Sequence, residues 1–154
     1  MMTIVTERID RLAVLESEIG VLMRRARRVI AERAQAVHPD LPGISYLMLG
    51  YIRDNGPVRA TEVGAAFHVD KAAVSRHLQQ MLEMGLLAKR PDPEDGRAML
   101  ISTTAEADER MRAIMVERRR WLDERLGEWG ADELETLISL LGRYNRTLDE
   151  AAQA

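Results

Sequence analysis

The sequence predicts a mainly α-helical fold that carries one small β-hairpin, and three observations lead to this class. Apolar residues recur every three or four positions over most of the chain, which is the period of a helix with one buried face. A turn-rich segment with two prolines and a glycine, residues 91–96, separates two short stretches of strand character. Cysteine is absent from all 154 residues, so neither a disulfide framework nor a cysteine-ligated zinc site organises the fold.

The first predicted element is one long helix over residues 6–37. Its apolar positions keep helical spacing, and no proline interrupts them before Pro39. A helix of this length would span about 45 Å, which is more than a small core can cover, so part of its apolar stripe needs a partner. We interpret a cluster of arginines in its second half as a solvated face, with auxiliary contact to DNA phosphates as the alternative. The cluster consists of Arg24, Arg25, Arg27, Arg28 and Arg33.

Shorter elements follow a break at residues 38–43. An apolar helix is predicted over residues 44–54, a very short strand over residues 57–59 and a short helix over residues 60–67. Asp70 is a good N-cap for the next helix, and Gly85 is a typical C-terminal stop. The tight turn between these last two helices places His68 in a left-handed or bridge conformation, in which histidine is enriched.

The helix that follows Asp70 has two different faces. One face is apolar, and the other, which we call the reading face, carries short or hydrogen-bonding side chains and two cations. A face of this kind lets a backbone approach a DNA groove while Arg and Lys reach guanine edges or phosphates, although a solvated face is the alternative for an isolated helix. The reading face consists of Lys71, Ala72, Ser75, Arg76 and Gln79.

A hairpin, which we call the wing, is predicted directly after this helix. Its strands cover residues 86–90 and 97–102, and both prolines belong at its tip because proline cannot donate to a strand ladder. The tip presents Arg97, whose guanidinium Asp95 would orient. Arginine suits the negative potential of a narrow minor groove. A reading helix followed at once by a basic-tipped hairpin predicts a winged helix-turn-helix that binds DNA.

Residues 56–104 resemble the winged-helix core of the multiple-antibiotic-resistance regulator (MarR) family. The most specific feature is the wing motif D-P-x-D-x-R, and the closing Gly85-Leu86 fits as well, whereas His68 and Ala107 stand where the family usually has glycine. The resemblance implies a two-fold dimer built from N- and C-terminal helices. It also implies a small phenolic or anionic effector bound between those helices and the winged helix. The motif residues of the wing and the helix are Asp92, Asp95 and Arg97, and Lys71, Val74, Ser75 and Arg76.

Two further helices are predicted after the wing. Thr103 and Glu106 have the spacing of a capping box for a helix that runs to about residue 128, and the last helix begins at residues 130–132. One subunit cannot shield the apolar stripes of three such helices, so a homodimer is favoured, although the pattern alone leaves a monomer open. The predicted domains are a dimerisation helix over residues 1–40, a DNA-binding winged helix-turn-helix over residues 41–102 and dimerisation helices over residues 103–154.

These features predict a homodimeric transcriptional repressor that binds an inverted repeat in double-stranded DNA. The resemblance implies release by a small aromatic or anionic effector, and a dimer without an effector is the alternative. His77, on or beside the reading helix, is assigned equally to packing and to DNA contact. The predicted DNA-binding residues are Thr61, Lys71, Ala72, Ala73, Ser75, Arg76, Gln79, Arg90, Asp95 and Arg97. For each candidate effector-binding residue taken singly, packing in the core is favoured. These candidates are Tyr46, Met48, Tyr51, Met111 and Met115.

Charge and composition restrict the alternatives. The net charge is −3, yet residues 71–90 hold four basic residues and one acidic residue, a local balance of +3. No apolar run reads as a membrane span or signal peptide, which predicts a cytoplasmic protein. No nucleophile–base or metal constellation is visible, so an enzyme, a cofactor and a metal are not expected. A helical protein-interaction module without DNA readout is the alternative function.

Overall fold

The structure, a computed structural model, describes the backbone of residues 2–152 and the side chains of residues 7–149. It divides into two compact units, the first ending at Ile114 and the second beginning at Met115. The described residues form six helices and three short strands, as the predicted class requires. The helices are α1 (Met2–Val37), α2 (Gly43–Asn55), α3 (Ala60–Phe67), α4 (Lys71–Glu83), α5 (Ala105–Arg125) and α6 (Ala131–Ala152). The strands are β1 (Val58–Arg59), β2 (Leu87–Pro91) and β3 (Met99–Thr103).

The three strands form one antiparallel sheet in the order β1-β3-β2. Strand β1 pairs Val58 with Ile101, which confirms the short strand expected before α3. Strand β2 pairs with β3 from Leu87 opposite Thr103 to Pro91 opposite Met99, and this hairpin is the wing.

The sheet and helices α2, α3 and α4 enclose the core of the first unit. Residues Met48, Leu49 and Ile52 of α2 are fully buried, and Val63 of α3 and Met81 of α4 pack into the same cluster. Burial of this many large apolar side chains is the main stabilising term for a unit of this size. The core therefore holds the two helices of the helix-turn-helix and the wing in one body.

The predicted strand limits and the placing of Pro91 were wrong. Strand β3 begins at Met99, so Arg97 lies in the turn, and Pro91 belongs to the ladder. The amide of the next residue, Asp92, donates to the carbonyl oxygen of Ala98 at 3.0 Å. Because amides alternate in direction along a strand, the Pro91 nitrogen faces away from β3, and its missing hydrogen costs no ladder bond.

The predicted cap of α5 was wrong by one residue. Thr103 is the last residue of β3, and Thr104 is the cap, because its Oγ1 accepts a hydrogen bond from the Ala107 amide at 3.2 Å. The same hydroxyl donates to the carbonyl oxygen of Gly85 at 2.9 Å, which ties the start of α5 to the end of α4. Helix α5 also ends at Arg125 and does not reach residue 128.

The end of α4 depends on Gly85, as the sequence predicts. Gly85 has φ of 71°, and the Leu86 amide donates to the Met81 carbonyl oxygen at 2.9 Å, which is the pattern of a Schellman motif. We expect Gly85→Ala to lower the free energy of unfolding by about 1–2 kcal/mol, because a Cβ strains the left-handed conformation. Urea denaturation measures this loss. Gly96→Ala is the control: Gly96 lies outside the positive-φ region and its Cβ would meet no atom within 4 Å, so equal losses would contradict the backbone explanation.

Candidate nucleic-acid interface

Helices α3 and α4 form a helix-turn-helix around His68. This residue has φ of 51° and ψ of 42°, which is the left-handed one of the two conformations that the sequence predicts. The next amide, from Val69, donates to the Gly64 carbonyl oxygen at 3.1 Å. A Cβ at Gly64 would lie 3.2 Å from the Val69 carbonyl oxygen, so only glycine allows the turn to pack this closely without a shift. The tight turn brings the two helices into contact.

Asp70 begins α4 in the way the sequence predicts. Its Oδ1 accepts hydrogen bonds from the amides of Ala72 and Ala73, both at 3.0 Å. The Ala73 amide, and after it the Ala72 amide, holds the pKa of the Asp70 carboxyl below its ordinary value, and the nearby charge of Arg76 acts in the same direction. The cap thus fixes the first turn of the reading helix.

The Asp70 cap should make stability dependent on pH. The unfolded chain binds a proton at Asp70 more readily than the folded chain, so the contribution is present above the ordinary aspartate pKa and is lost as pH falls through the lowered folded pKa. We expect Asp70→Asn, which still caps, to show a smaller fall in thermal midpoint between about pH 7 and about pH 3. Asp70→Ala should lower the midpoint at neutral pH as well. Identical pH profiles for the wild type and Asp70→Asn would contradict this role.

The reading face is exposed along the length of α4. Lys71, Ala72, Ser75, Arg76 and Gln79 are all exposed, whereas Ala73 is half-buried. The opposite side of the helix, which includes Val74, Leu78 and Met81, is buried in the core. Within the reading face, the Gln79 side-chain amide donates to the Glu83 carboxylate at 2.9 Å.

His77 lies on the side of α4 that meets α2. Its Nδ1 and the Oγ of Ser45 are 2.9 Å apart, and Ser45 is fully buried. Of the two roles that the sequence left open for His77, this contact favours packing.

The turn of the wing is built on two aspartates. The Glu94 amide donates to Oδ1 of Asp92 at 2.9 Å, and the Arg97 amide donates to Oδ1 of Asp95 at 3.1 Å. The prediction that Asp95 orients the Arg97 guanidinium was wrong, because Asp95 bonds the backbone of Arg97. Among the described residues, no carboxylate lies within ion-pair distance of the exposed Arg97 side chain, which remains available to a ligand.

The sequence reasoning missed Arg59, which joins the turn of the wing to the start of α3. Its Nε and Nη2 donate to Oδ2 of Asp92 at 2.8 and 2.5 Å, and its Nη1 lies 4.0 Å from Oδ2 of Asp95. Asp92 is only 6% exposed. The Glu94 amide, and after it the Arg59 guanidinium, holds the pKa of the Asp92 carboxyl below its ordinary value. The sequence feature that could have indicated this contact is an arginine directly before a short helix.

The comparisons with known proteins agree with this geometry. Residues 40–98 match the family model described as MarR family. The HTH-type transcriptional regulator YdgJ of Bacillus subtilis is 30% identical to the chain over 139 residues, which cover 87% of this chain and 81% of that protein. The chain belongs to the MarR family. It is therefore a transcriptional regulator with a DNA-binding helix-turn-helix, and its relatives are regulators and not enzymes.

Other transcriptional regulators resemble the chain along most of its length. The HTH-type transcriptional repressor NicR of Pseudomonas putida is 27% identical over 126 residues, which cover 80% of each protein. Among solved structures, the MarR family transcription regulator SP03579 has a TM-score of 0.80 at 19% identity and covers 97% of each chain. A crystal structure of MarR has a TM-score of 0.66 at 23% identity and covers 91% of this chain and 98% of that one. These structures show that the fold is that of the MarR family.

A concavity of about 310 Å³ lies between the reading helix and the sheet of this MarR-family domain. Thr61, which follows the first residue of α3, is exposed and contributes to its wall together with Ser75. Arg90 is exposed on β2. The full lining consists of Arg59, Ala60, Thr61, Ser75, Leu78, Lys89, Ala98, Met99 and Ile101.

The five predicted effector residues do not line this concavity. Tyr46, Met48 and Met111 are buried in the core of the first unit, and Tyr51 packs its ring edge-on against Phe67 with centroids 5.9 Å apart. Met115 belongs to the second unit and is 37% exposed.

Within residues 2–152, no helix combines the length and hydropathy needed to cross a bilayer.

Proposed function

We propose that this MarR-family chain is a homodimeric repressor that binds an inverted-repeat operator. The observation that carries the proposal is the exposed reading face of α4 together with the exposed Arg97 of the wing. Small side chains on that face allow a close approach to base edges, and cations at both places match the negative charge of DNA. Two copies related by a two-fold axis would read half-sites about one helical turn, or roughly 10 bp, apart.

Each predicted contact has a physical reason. Lys71, Ser75 and Arg76 would bind base edges and phosphates, with Gln79 as a further hydrogen-bonding group one turn along. Ala72 and Ala73 would allow close approach or contact a thymine methyl group. Thr61 would bind a phosphate together with the free amides at the start of α3, and Arg90 would bind a phosphate from the wing.

The wing would contribute one contact of its own. Arg97 would enter the minor groove that flanks the half-site, where its planar guanidinium meets a concentrated negative potential. Asp95 would act by shaping the turn, because it accepts the Arg97 amide.

Exposed apolar stripes support the proposed dimer. They also support the proposed domain division, in which residues 41–102 bind DNA and the helices of residues 1–40 and 103–154 form the dimer. A single chain leaves large apolar side chains in water on α1 and, separately, on α6, which a second copy would cover. On α1 they are Ile9, Leu12, Leu15, Leu22 and Met23. On α6 they are Leu137, Ile138, Leu140, Leu141 and Leu148.

Repression and release are the finer parts of the proposal. The name of NicR supports repression, and blocking a promoter is the simplest way in which a bound dimer acts. A small aromatic or anionic effector would shift the spacing of the two reading helices. Because Met48 and Met111 are buried, an effector at the predicted residues has to displace core side chains, for which flexible methionines are suited.

Selection of bound duplexes from a random DNA pool tests the proposal. We expect an inverted repeat whose affinity falls steeply with salt concentration, since cations on the protein release counterions from DNA. The same duplex then serves in a search for compounds that release it. A protein-interaction module without DNA readout would recover no consensus and show no salt-dependent shift of duplex DNA.

A further inference from the structure

Arg59 stands at a helix start where its side chain is not suited to cap. It is the N-cap residue of α3, a position that favours Ser, Thr, Asp and Asn because their oxygens accept free amides of the first turn. A guanidinium has five donors and no acceptor, so it cannot perform this task. Only the backbone of Arg59 takes part in the cap, by donating its amide to Oε2 of Glu62 at 2.7 Å.

The Arg59 side chain is directed to the wing instead. Its Nε and Nη2 both donate to Oδ2 of Asp92, a residue 33 positions later in the chain and almost fully buried. Oδ1 of Asp92 accepts the Glu94 amide, so both carboxylate oxygens are used. A buried carboxylate that loses its cation partner is left uncompensated, which makes the contact a strong constraint on geometry.

The contact lies between two parts of the DNA-binding surface. On one side is the start of α3, where Thr61 follows Arg59 by two residues. On the other side is the turn that carries Arg97, in which Asp95 accepts the Arg97 amide and also lies 4.0 Å from Nη1 of Arg59. A short series of contacts thus leads from the helix-turn-helix to the backbone of the wing residue that faces solvent.

We propose that Arg59 is a positioning residue for DNA recognition, which holds the wing against the first helix of the helix-turn-helix so that Arg97 is set for the minor groove before DNA binds. The proposal rests on the proposed minor-groove role of Arg97. Presetting the wing removes the entropic cost of ordering it during binding, so affinity rises without a new contact to DNA.

A direct role for Arg59 is the competing explanation, because its side chain is 40% exposed. An arginine that contacts a phosphate itself would add its effect to that of Arg97. A positioning arginine would act only through the wing, so its effect would disappear once Arg97 is absent. Comparison of single and double variants therefore separates the two roles.

The experiment compares the wild type, Arg59→Ala, Arg97→Ala and the double variant, with a duplex selected from a random pool by the wild-type protein as the probe. We expect each single variant to bind on the order of tenfold more weakly, and the double variant to bind about as weakly as Arg97→Ala alone. Hydroxyl-radical footprinting should show loss of minor-groove protection at the flanks in Arg59→Ala. Major-groove base preference, measured by repeating the selection, should stay unchanged.

Two further variants keep the test valid if Arg59→Ala folds poorly. Asp92→Asn removes the charge of the partner, and Arg59→Lys keeps the positive charge but removes the fork that binds one oxygen with two nitrogens. Both variants should lose minor-groove protection at the flanks of the duplex and keep the major-groove base preference. Arg112→Ala, which removes one exposed cation paired with Glu109 on α5, is the charge-matched control and should leave the footprint intact.

The possible failures are distinguishable. If Arg97→Ala binds like the wild type, the proposed minor-groove role is wrong. If Arg97→Ala weakens binding while the Arg59 and Asp92 variants retain wild-type affinity and footprint, the inference about Arg59 is wrong and the role of Arg97 stands. Additive losses in the double variant would also overturn the inference, because they indicate direct contact of Arg59 with DNA.

Discussion

Arg76→Ala is expected to weaken binding of a selected operator duplex by about 1–3 kcal/mol, roughly 5- to 150-fold, and to relax the preference at one base pair. Arg76 is exposed on the reading face, and an arginine there can donate two hydrogen bonds to one guanine edge. A titration of the duplex at fixed salt concentration measures the affinity, and a repeated selection measures the base preference.

Arg112→Ala provides the comparison for Arg76, since it removes the same charge from an exposed site on α5. We expect this variant to bind within about twofold of the wild type, as a surface charge outside the interface contributes little. A uniform loss of affinity on all sequences, without any change in base preference, would assign Arg76 to a phosphate. No loss at all would contradict its place in the interface.

Leu141→Glu is expected to separate the dimer and to lower operator affinity by about 100-fold or more, because two linked half-site contacts become independent. Leu141 is exposed in the single chain and shares the spacing of Leu134, Leu137 and Leu148 on one face of α6. A carboxylate in the centre of a covered apolar face is left without a partner, which opposes association. Analytical ultracentrifugation measures the oligomeric state, and a gel shift measures the affinity.

Ser139→Glu is the matched control for Leu141. It adds the same charge to the same helix on the opposite face, where the side chain is also exposed. Ser139→Glu should leave the oligomeric state and the operator affinity unchanged. A Leu141→Glu protein that stays dimeric would show that this face of α6 is not the interface.

Local signals predicted most of the fold. The Asp70 cap, the Gly85 stop and the left-handed His68 depend on residues next to one another, and the structure confirms each of them. Strand limits depend on which residues of β2 and β3 face each other, which is a property of the pair and not of either segment. For this reason Pro91 was excluded from the ladder, and the α5 cap was placed at Thr103 when Thr104 holds it.

The candidate site was predictable where one helix carries it. Helical spacing alone separates the reading face from buried residues such as Val74 and Leu78. The contact between Arg59 and Asp92 joins residues 33 positions apart, and no periodicity relates them. Arginine is unusual at an N-cap, which indicates that the Arg59 side chain has a partner elsewhere. Only the folded structure identifies this partner as Asp92.

The position of β2 at the edge of the sheet also bears on how the protein avoids edge-to-edge aggregation. Unpaired edge strands are templates for the growth of aggregates, and proteins protect them with charged residues and proline. The edge strand β2 carries Lys89, Arg90 and Pro91, and the other edge strand, β1, has only two residues. The wing can thus protrude toward a polyanion while like charges repel the wing of another molecule. The cations that would favour DNA serve solubility as well.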